Sequence, residues 1–210
     1  MIRDILLFLA VIFLIFYNYF FIDQGHLLLY LFLFIFFIYF FVSLVVSRKY
    51  GAKIMGWSAI IKYGDYTSVL INLTQLCLIF NIFFVFYGET YPDIMIIAGF
   101  VIMITGMVFN LLVRRDLGKN WVPLSKTTEG QELVTSGVYS KIRHPFYASI
   151  LILFLGVAVM AGNIYALLFF MLFIISIWIR IKKEEEELIK KFGDEYGIYM
   201  EEVPMLLPKL

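Results

Sequence analysis

Long apolar segments alternate with short polar stretches along the whole chain. Six such segments can be distinguished, at about residues 5–22, 27–47, 67–88, 93–113, 146–161 and 164–180. The first four are close to or above the ~20 residues with which an α-helix crosses a ~30 Å hydrocarbon core. The fifth covers only about 24 Å, and we expect neighbouring helices or local thinning of the bilayer to accommodate it. The pattern predicts an all-α integral membrane protein with about six transmembrane helices.

A turn-type sequence, Ala-Gly-Asn at 161–163, joins the fifth segment to the sixth. We therefore expect an antiparallel helical hairpin over 146–180, followed by a cytoplasmic C-terminal segment over 181–210 that includes a helix. The open ends of such a hairpin are neighbours. Residues near its two ends are consequently expected to lie about one helix diameter, ~10 Å, apart.

The six segments fall into two regions. Residues 1–66 are expected to form an N-terminal pair of transmembrane helices and a cytoplasmic loop. Residues 67–210 are expected to form the functional core, in which a long loop over 114–145 precedes the hairpin. Two long polar pieces, this loop and the C-terminal segment, therefore bracket the hairpin.

The positive charges predict the orientation of the chain. All 17 Lys and Arg residues lie at residue 3, within 48–62, within 114–143 or within 180–209. The other connections between apolar segments contain no Lys or Arg. Six crossings with both termini in the cytoplasm put every one of these residues on the cytoplasmic side, as the positive-inside rule expects. The two long polar pieces, and any site that they form, are then cytoplasmic.

Composition excludes several classes of protein. The chain is 62% hydrophobic, has a mean hydropathy of +0.91 and is only 16% charged, against about 25% charged residues in a soluble domain. Its formal net charge of +1 and the absence of a basic tract argue against a nucleic-acid partner. The single cysteine, Cys77, excludes a disulfide framework, and no Cys/His spacing suits a metal.

Two groups of potentially catalytic residues flank the hairpin. Arg143, His144 and Tyr147 precede it or begin it, and Arg180 and four consecutive glutamates at 184–187 follow its second arm. Successive helical residues point about 100° apart, so the four glutamates cannot face one site, whereas Arg180 and the first glutamate share a face. Each residue also has a simpler interpretation as a headgroup anchor, an interfacial tyrosine or part of a solvated helix face.

The combination of motifs is more specific than its parts. In order, they are Leu133-Val134-Thr135-Ser136-Gly137-Val138-Tyr139, Arg143-His144-Pro145-x-Tyr147, Arg180-x-x-x-Glu184-Glu185-x-x-Leu188 and Phe192-Gly193-x-x-Tyr196-x-x-Tyr199. In content, order and spacing this pattern resembles the isoprenylcysteine carboxyl methyltransferase family. The resemblance covers roughly residues 93–208 and is specific over 131–199.

The resemblance implies a cofactor and a set of site residues. Members of the family hold S-adenosylmethionine in a membrane-embedded cytoplasmic pocket, and no Rossmann-type glycine-rich loop occurs here. Arg180 would face the substrate and, with Glu184, form the catalytic pair. The cofactor-binding residues would be Gln131, Leu133, Val134, Tyr139, His144, Pro145, Tyr147 and Glu184. Two positions depart from the family: Gln131 replaces a common histidine, and Leu124 stands where a polar contact is expected.

We therefore expect methyl transfer from S-adenosylmethionine to a lipophilic acceptor that enters from the bilayer. A prenylcysteine-type carboxylate is ionised at pH 7 and needs no general base, and Arg180 could clamp it. An amine, as in phosphatidylethanolamine N-methylation, would need Glu184 or Glu185 as base. The resemblance also implies a third possibility, because members of this fold include distant NADPH-dependent sterol reductases. From a different class, the chain could be a non-catalytic membrane scaffold or a small transport subunit. Transport is weakly supported, because the apolar segments lack the ionisable residues typical of ion paths.

Overall fold

The computed structural model describes residues 27–50, 65–88, 93–121 and 130–209. Within these ranges the α-helices are α1 (Leu27–Lys49), α2 (Tyr66–Gly88), α3 (Asp93–Leu117), α4 (Pro145–Ala161), α5 (Ile164–Phe192) and α6 (Asp194–Glu202). Two short 3-10 turns, Gly118–Asn120 and Gly137–Ser140, lie between α3 and α4. The regular elements of the described ranges are all helical, which confirms the predicted all-α class.

Three of these helices are long and apolar enough to cross a membrane, over Tyr30–Lys49, Ile94–Asn120 and Ile164–Phe192. Two shorter apolar helices cover Tyr66–Ile82 and Pro145–Ala161. The second to sixth predicted segments therefore correspond to α1–α5. The first predicted segment, 5–22, lies outside the described residues. The prediction of six membrane crossings with both termini in the cytoplasm therefore stays a prediction.

The last arm of the hairpin is longer than the sequence pattern indicated. The apolar segment stops at residue 180, but α5 continues to Phe192. The added turns consist mainly of Lys and Glu, which are good helix formers. Gly193, with a φ of 54°, ends the helix in a conformation that glycine adopts easily.

The chain divides within α1 into two compact units, residues 1–38 and 39–210. In the described part of the first unit, the rings of Phe32 and Phe36 pack with centroids 5.7 Å apart. The second unit contains the end of α1, helices α2–α6 and all of the candidate site residues.

Helices α3 and α4 pack with their backbones in close approach, because glycines line the contact. A Cβ on Gly99 would lie 2.7 Å from the carbonyl oxygen of Gly156. A Cβ on Gly106 would lie 2.3 Å from the backbone nitrogen of Leu153. Small residues are the usual means by which membrane helices approach closely. This contact fixes the end of α3 against the first turns of α4.

The predicted turn between the hairpin arms is confirmed. Gly162, with a φ of 60°, caps the C-terminus of α4, a position that favours glycine. The Asn163 side-chain oxygen accepts a hydrogen bond of 2.9 Å from the backbone N–H of Ala166 and so caps α5. Its Nδ2 donates to Asn81 Oδ1 at 2.9 Å, which ties α2 to the closed end of the hairpin.

The close packing of α3 on α4 predicts that Gly156→Ala destabilises the fold. The added Cβ would lie 2.4 Å from the Met103 backbone nitrogen and 2.5 Å from the Gly99 carbonyl oxygen. Overpacking of this kind lowers the free energy of unfolding by about 1–3 kcal/mol. Thermal unfolding in detergent, followed by circular dichroism, measures the loss.

The matched control is Gly197→Ala in α6, where a Cβ would meet nothing within 4 Å. It should leave stability unchanged or raise it slightly, because Ala favours helix over Gly. Equal stability of the Gly156 variant and wild type would contradict the close packing of α3 and α4.

Candidate active site

The two arms of the hairpin meet through a chain of hydrogen bonds at their open end. Tyr147, in the first turn of α4, donates its hydroxyl proton to Glu184 Oε2 at 2.5 Å. Arg180 Nε donates to the same tyrosine oxygen at 3.0 Å. The i,i+4 spacing brings Arg180 and Glu184 to one face of α5, as the sequence indicated. Residues 33 and 37 positions apart in sequence are thus in direct contact.

Arg180 has a partner that sequence reasoning missed. Its Nη1 donates to Asp65 Oδ2 at 2.5 Å, just before α2. The same nitrogen lies 3.0 Å from Thr67 Oγ1 and 2.8 Å from Ser68 Oγ. Both hydroxyls in turn donate to the Asp65 carboxylate, at 2.7 and 3.0 Å. At the start of α2, one carboxylate and two hydroxyl groups therefore surround the Arg180 guanidinium.

This ion pair is buried. The side chains of Arg180 and Asp65 are 5% and 1% exposed, and Lys183 adds a second cation 3.7 Å from Asp65 Oδ1. A buried charge is stable only when another group compensates it. The acidic and hydroxyl residues at the start of the third apolar segment were the available signal, since Asp, Thr and Ser are typical of a helix start.

A second buried ion cluster lies beside the first. Glu185 Oε1 accepts from Arg143 Nη2 at 3.0 Å and lies 3.1 Å from His144 Nε2. The side chains of these three residues are 4–8% exposed. Consecutive glutamates therefore serve different partners, Glu184 binding Tyr147 and Glu185 binding the residues before α4. The turn of about 100° per residue explains the division.

The end of the chain holds the segment before α4 in place. Arg143 Nη1 donates to the carbonyl oxygens of Met200 at 2.9 Å and Val203 at 2.5 Å. The backbone N–H groups of Arg143 and His144 donate to the carbonyls of Pro204 and Met205, at 2.8 and 3.0 Å. Arg143 is consequently a structural cross-link among α5, α6 and the chain end, and not simply a headgroup anchor.

Three tyrosines line the same region outside the apolar helices. Tyr199 donates its hydroxyl proton to the carbonyl oxygen of Tyr139 at 2.6 Å. Burial raises the pKa of Tyr199 to about 12. Burial, and then the negative charge of Glu184, raise the pKa of Tyr139 well above its ordinary value. The buried hydroxyl of Tyr196 has no hydrogen-bond partner among the described residues. All three phenols are therefore neutral at physiological pH.

The loop between α3 and α4 is held by two polar side chains near the end of α3. Asp116 Oδ2 accepts from the backbone N–H of Val138 at 3.2 Å. Gly137, with a φ of 62°, makes this approach possible, because a Cβ there would lie 2.5 Å from the carboxylate oxygen. Asn120 Oδ1 accepts from the Glu132 N–H at 2.9 Å. These contacts orient the start of the loop that returns to α4.

The predicted site residues are only partly in mutual contact. Tyr147, Glu184 and Arg180 form one chain, and His144 and Pro145 stand at the start of α4. The remaining predicted residues belong to the loop before α4. The carbonyl oxygen of Tyr139 accepts a hydrogen bond from Tyr199, and Leu133 packs on the cluster of Tyr196, Tyr199 and Val203. Gln131 Nε2 donates to the Asn120 carbonyl at 3.4 Å, and Val134 is half-buried.

The other two glutamates do not contribute to the cluster. Glu186 is exposed, and Glu187 Oε1 lies 2.9 Å from Lys190 Nζ on the outer side of α5. This outcome confirms the interpretation of these two residues as a solvated helix face.

Comparison with known proteins gives matches over the region that carries these contacts. Residues 94–195 match the phospholipid methyltransferase family. Protein-S-isoprenylcysteine O-methyltransferase of Schizosaccharomyces pombe is 32% identical over 111 residues, which cover 52% of this chain and 47% of that protein. The rat protein of the same name is 36% identical over 122 residues, covering 53% and 40%.

A bacterial protein is similar over a shorter stretch. Methanethiol S-methyltransferase 1 of Bradyrhizobium diazoefficiens is 42% identical over 72 residues, which cover 34% of this chain and 24% of that protein. The chain thus spans less than half the length of these three relatives.

The cluster around Glu185 predicts that Glu185→Gln destabilises the packing of the chain end. The substitution keeps the shape of the side chain but leaves buried Arg143 without its counter-charge. Removing one partner of a buried ion pair costs about 3–5 kcal/mol. Thermal unfolding and limited proteolysis of the C-terminal segment measure the effect.

The matched control is Glu186→Gln, one residue further along α5 and exposed. An exposed substitution should change stability by no more than about 0.5 kcal/mol. Similar unfolding curves for the two variants would remove the structural role assigned to Glu185.

Proposed function

We propose that the protein transfers a methyl group from S-adenosylmethionine to a lipophilic acceptor. The match of residues 94–195 to the phospholipid methyltransferase family and the similarity to protein-S-isoprenylcysteine O-methyltransferases support this proposal. The first-choice acceptor is the carboxylate of a prenylcysteine-type substrate. The contact of Tyr147, Glu184 and Arg180 at the open end of the hairpin is the observation that carries this proposal. It joins both motifs that flank the hairpin within a single hydrogen-bonded chain.

The groups at this end suit the charges of S-adenosylmethionine. Glu184 and the ring of Tyr139 would hold its cationic sulfonium and amino groups. The first-turn N–H groups of α4, which no described side chain caps, would receive its carboxylate beside Pro145. The Tyr196 hydroxyl, buried and without a partner among the described residues, is available for a further hydrogen bond. The donor set therefore fits the cofactor.

Further residues would complete the cofactor site from the loop. Gln131, Leu133 and Val134 would contribute largely backbone contacts, and His144 would act through the start of α4, which its bond to Glu185 fixes. When bound, S-adenosylmethionine supplies a methyl group on a positively charged sulfur. The residues of the chain then have to align the acceptor and exclude water, which are the main requirements of an in-line displacement.

A carboxylate acceptor needs no proton transfer, because it is already ionised at pH 7. Arg180 is the proposed residue that receives it, since a guanidinium binds a carboxylate through two parallel hydrogen bonds. Asp65 already occupies Nη1 of this guanidinium. An incoming carboxylate must therefore share Arg180 with Asp65 or replace it.

The pairing with Asp65 also favours a second candidate, an amine acceptor of the phosphatidylethanolamine type. Asp65 neutralises Arg180, and the repulsion of a protonated amine by the guanidinium is thereby reduced. Methylation of an amine requires a base. Glu184 is the candidate, because Glu185 is already bound to Arg143 and His144.

The cofactor site predicts that Tyr147→Phe and Glu184→Gln each weaken S-adenosylmethionine binding. The first variant removes only a hydroxyl, and the second removes a negative charge at nearly constant shape. Hydrogen bonds to charged groups contribute about 1.5–3 kcal/mol, so affinity should fall about tenfold or more. Calorimetric titration of the purified protein with S-adenosylmethionine measures this affinity. A parallel titration with NADPH tests whether the protein is instead a sterol reductase.

Glu187→Gln is the control, because this residue faces Lys190 on the outer side of α5. Unchanged affinity in all three variants would remove Glu184 and Tyr147 from the cofactor site. Failure of the wild type to bind S-adenosylmethionine would overturn the methyltransferase proposal itself.

The choice of acceptor is tested by changing Arg180 together with its partner. Arg180→Met combined with Asp65→Asn removes both charges and leaves neither one buried alone. We expect this double variant to bind S-adenosylmethionine normally but to methylate N-acetyl-S-farnesylcysteine about tenfold more slowly or worse. Asp65→Asn alone should lower the KM for the same acceptor, because Arg180 no longer has a competing carboxylate. It should also lower thermal stability, because Arg180 is then buried without its counter-charge.

Retention of full activity by the double variant would contradict the role of Arg180 as carboxylate clamp. Wild-type activity on phosphatidylethanolamine, with none on the farnesylcysteine analogue, would establish the amine as acceptor instead.

A further inference from the structure

Arg114, near the C-terminus of α3, is a partly buried arginine that the proposed reaction does not use. Its Nε donates to Asn110 Oδ1 at 2.7 Å, and its Nη1 donates to Ser47 Oγ at 2.9 Å. The guanidinium carbon lies 5.1 Å from the ring centroid of Trp121 and 5.2 Å from that of Phe146. Neutral polar groups and aromatic rings thus surround the charge.

The lack of a carboxylate distinguishes Arg114 from the other arginines of this region. Arg180 pairs with Asp65, and Arg143 pairs with Glu185. In the part of the chain that the structure describes, no Asp or Glu forms an ion pair with Arg114, and its hydrogen bonds to Asn110 and Ser47 go to neutral side chains. Charges removed from water are ordinarily paired. The site therefore has the composition of a receptor for an anion.

The guanidinium is held in a fixed position before any ligand binds. Asn110 Oδ1 accepts from Tyr39 at 2.8 Å as well as from Arg114. Asn110 Nδ2 donates to Ser149 Oγ at 2.8 Å, and Ser149 donates to the carbonyl oxygen of Phe146 at 2.6 Å. This network connects α1, α3 and α4. A preorganised donor loses little conformational entropy when it binds a ligand.

The position of the site indicates the kind of molecule that carries the anion. Arg114 lies close to the end of the apolar span Ile94–Asn120. Phe146 and Trp121, whose ring centroids are 6.2 Å apart, provide apolar surface next to the charge. Phe146 also belongs to the first turn of α4, where the helix dipole favours a negative group. These features suit the head of an amphiphile with apolar chains.

We propose that Arg114, flanked by Trp121 and Phe146, binds an oxyanion carried by a membrane amphiphile. The shared chemistry is a carboxylate or phosphate next to apolar chains, for which the planar guanidinium is well suited. Two sources have this chemistry: the phosphate of a lipid headgroup and the carboxylate of the methyl acceptor. The second source depends on the proposed function, and the first does not.

Native mass spectrometry of the purified full chain in detergent tests the proposal with four probes. Phosphatidylglycerol and N-acetyl-S-farnesylcysteine carry the anion. Diacylglycerol and the methyl ester of the farnesylcysteine are their uncharged counterparts. Arg114→Gln should weaken binding of at least one anionic probe about tenfold or more, with no change for the uncharged ones. Arg114→Lys should restore part of the affinity, which separates loss of charge from misfolding.

Arg115→Gln is the matched control, because the neighbouring arginine is 54% exposed and already paired with Asp116. A loss confined to phosphatidylglycerol assigns the site to a lipid phosphate, and a loss confined to the farnesylcysteine assigns it to the acceptor. The proposal is overturned if Arg114→Gln and Arg115→Gln bind all four probes alike. Calorimetry with S-adenosylmethionine on the same samples reports separately on the proposed function.

Discussion

A fully buried charge must be compensated by another group, and this constraint organises the open end of the hairpin. Asp65 compensates Arg180, and Glu185 compensates Arg143. Each pair joins elements far apart in sequence. The start of α2 is thereby held against α5, and the segment before α4 is held against both α5 and the chain end. The residues proposed to bind the cofactor are oriented by these ion pairs.

Packing of the apolar helices supplies the frame within which the charges can meet. The glycines of α3 and α4 allow a backbone approach that larger residues would prevent. The same approach brings the end of α3, with Arg114, beside the first turn of α4. Contacts made within the apolar region thus determine which polar side chains lie next to one another at its edge.

Local sequence pattern was sufficient for the helices and for the shared helix face of two site residues. Apolar length predicted α1–α5, and the i,i+4 rule placed Arg180 and Glu184 on one face. The pairing with Asp65 was not predictable, because it joins residues 115 positions apart, and helical periodicity carries no information at that separation. For the same reason, no local pattern indicated that Arg143 binds carbonyl oxygens of the chain end.

The proposed function requires that S-adenosylmethionine binds where the two hairpin arms meet. Ultraviolet cross-linking of methyl-labelled S-adenosylmethionine to the purified protein, followed by peptide mapping, tests this directly. We expect label in peptides that contain Tyr139 and Tyr147, or Glu184 and Tyr196. Label confined to peptides from α1 or from the closed end of the hairpin around Gly162, or no label that excess unlabelled cofactor can displace, would contradict it.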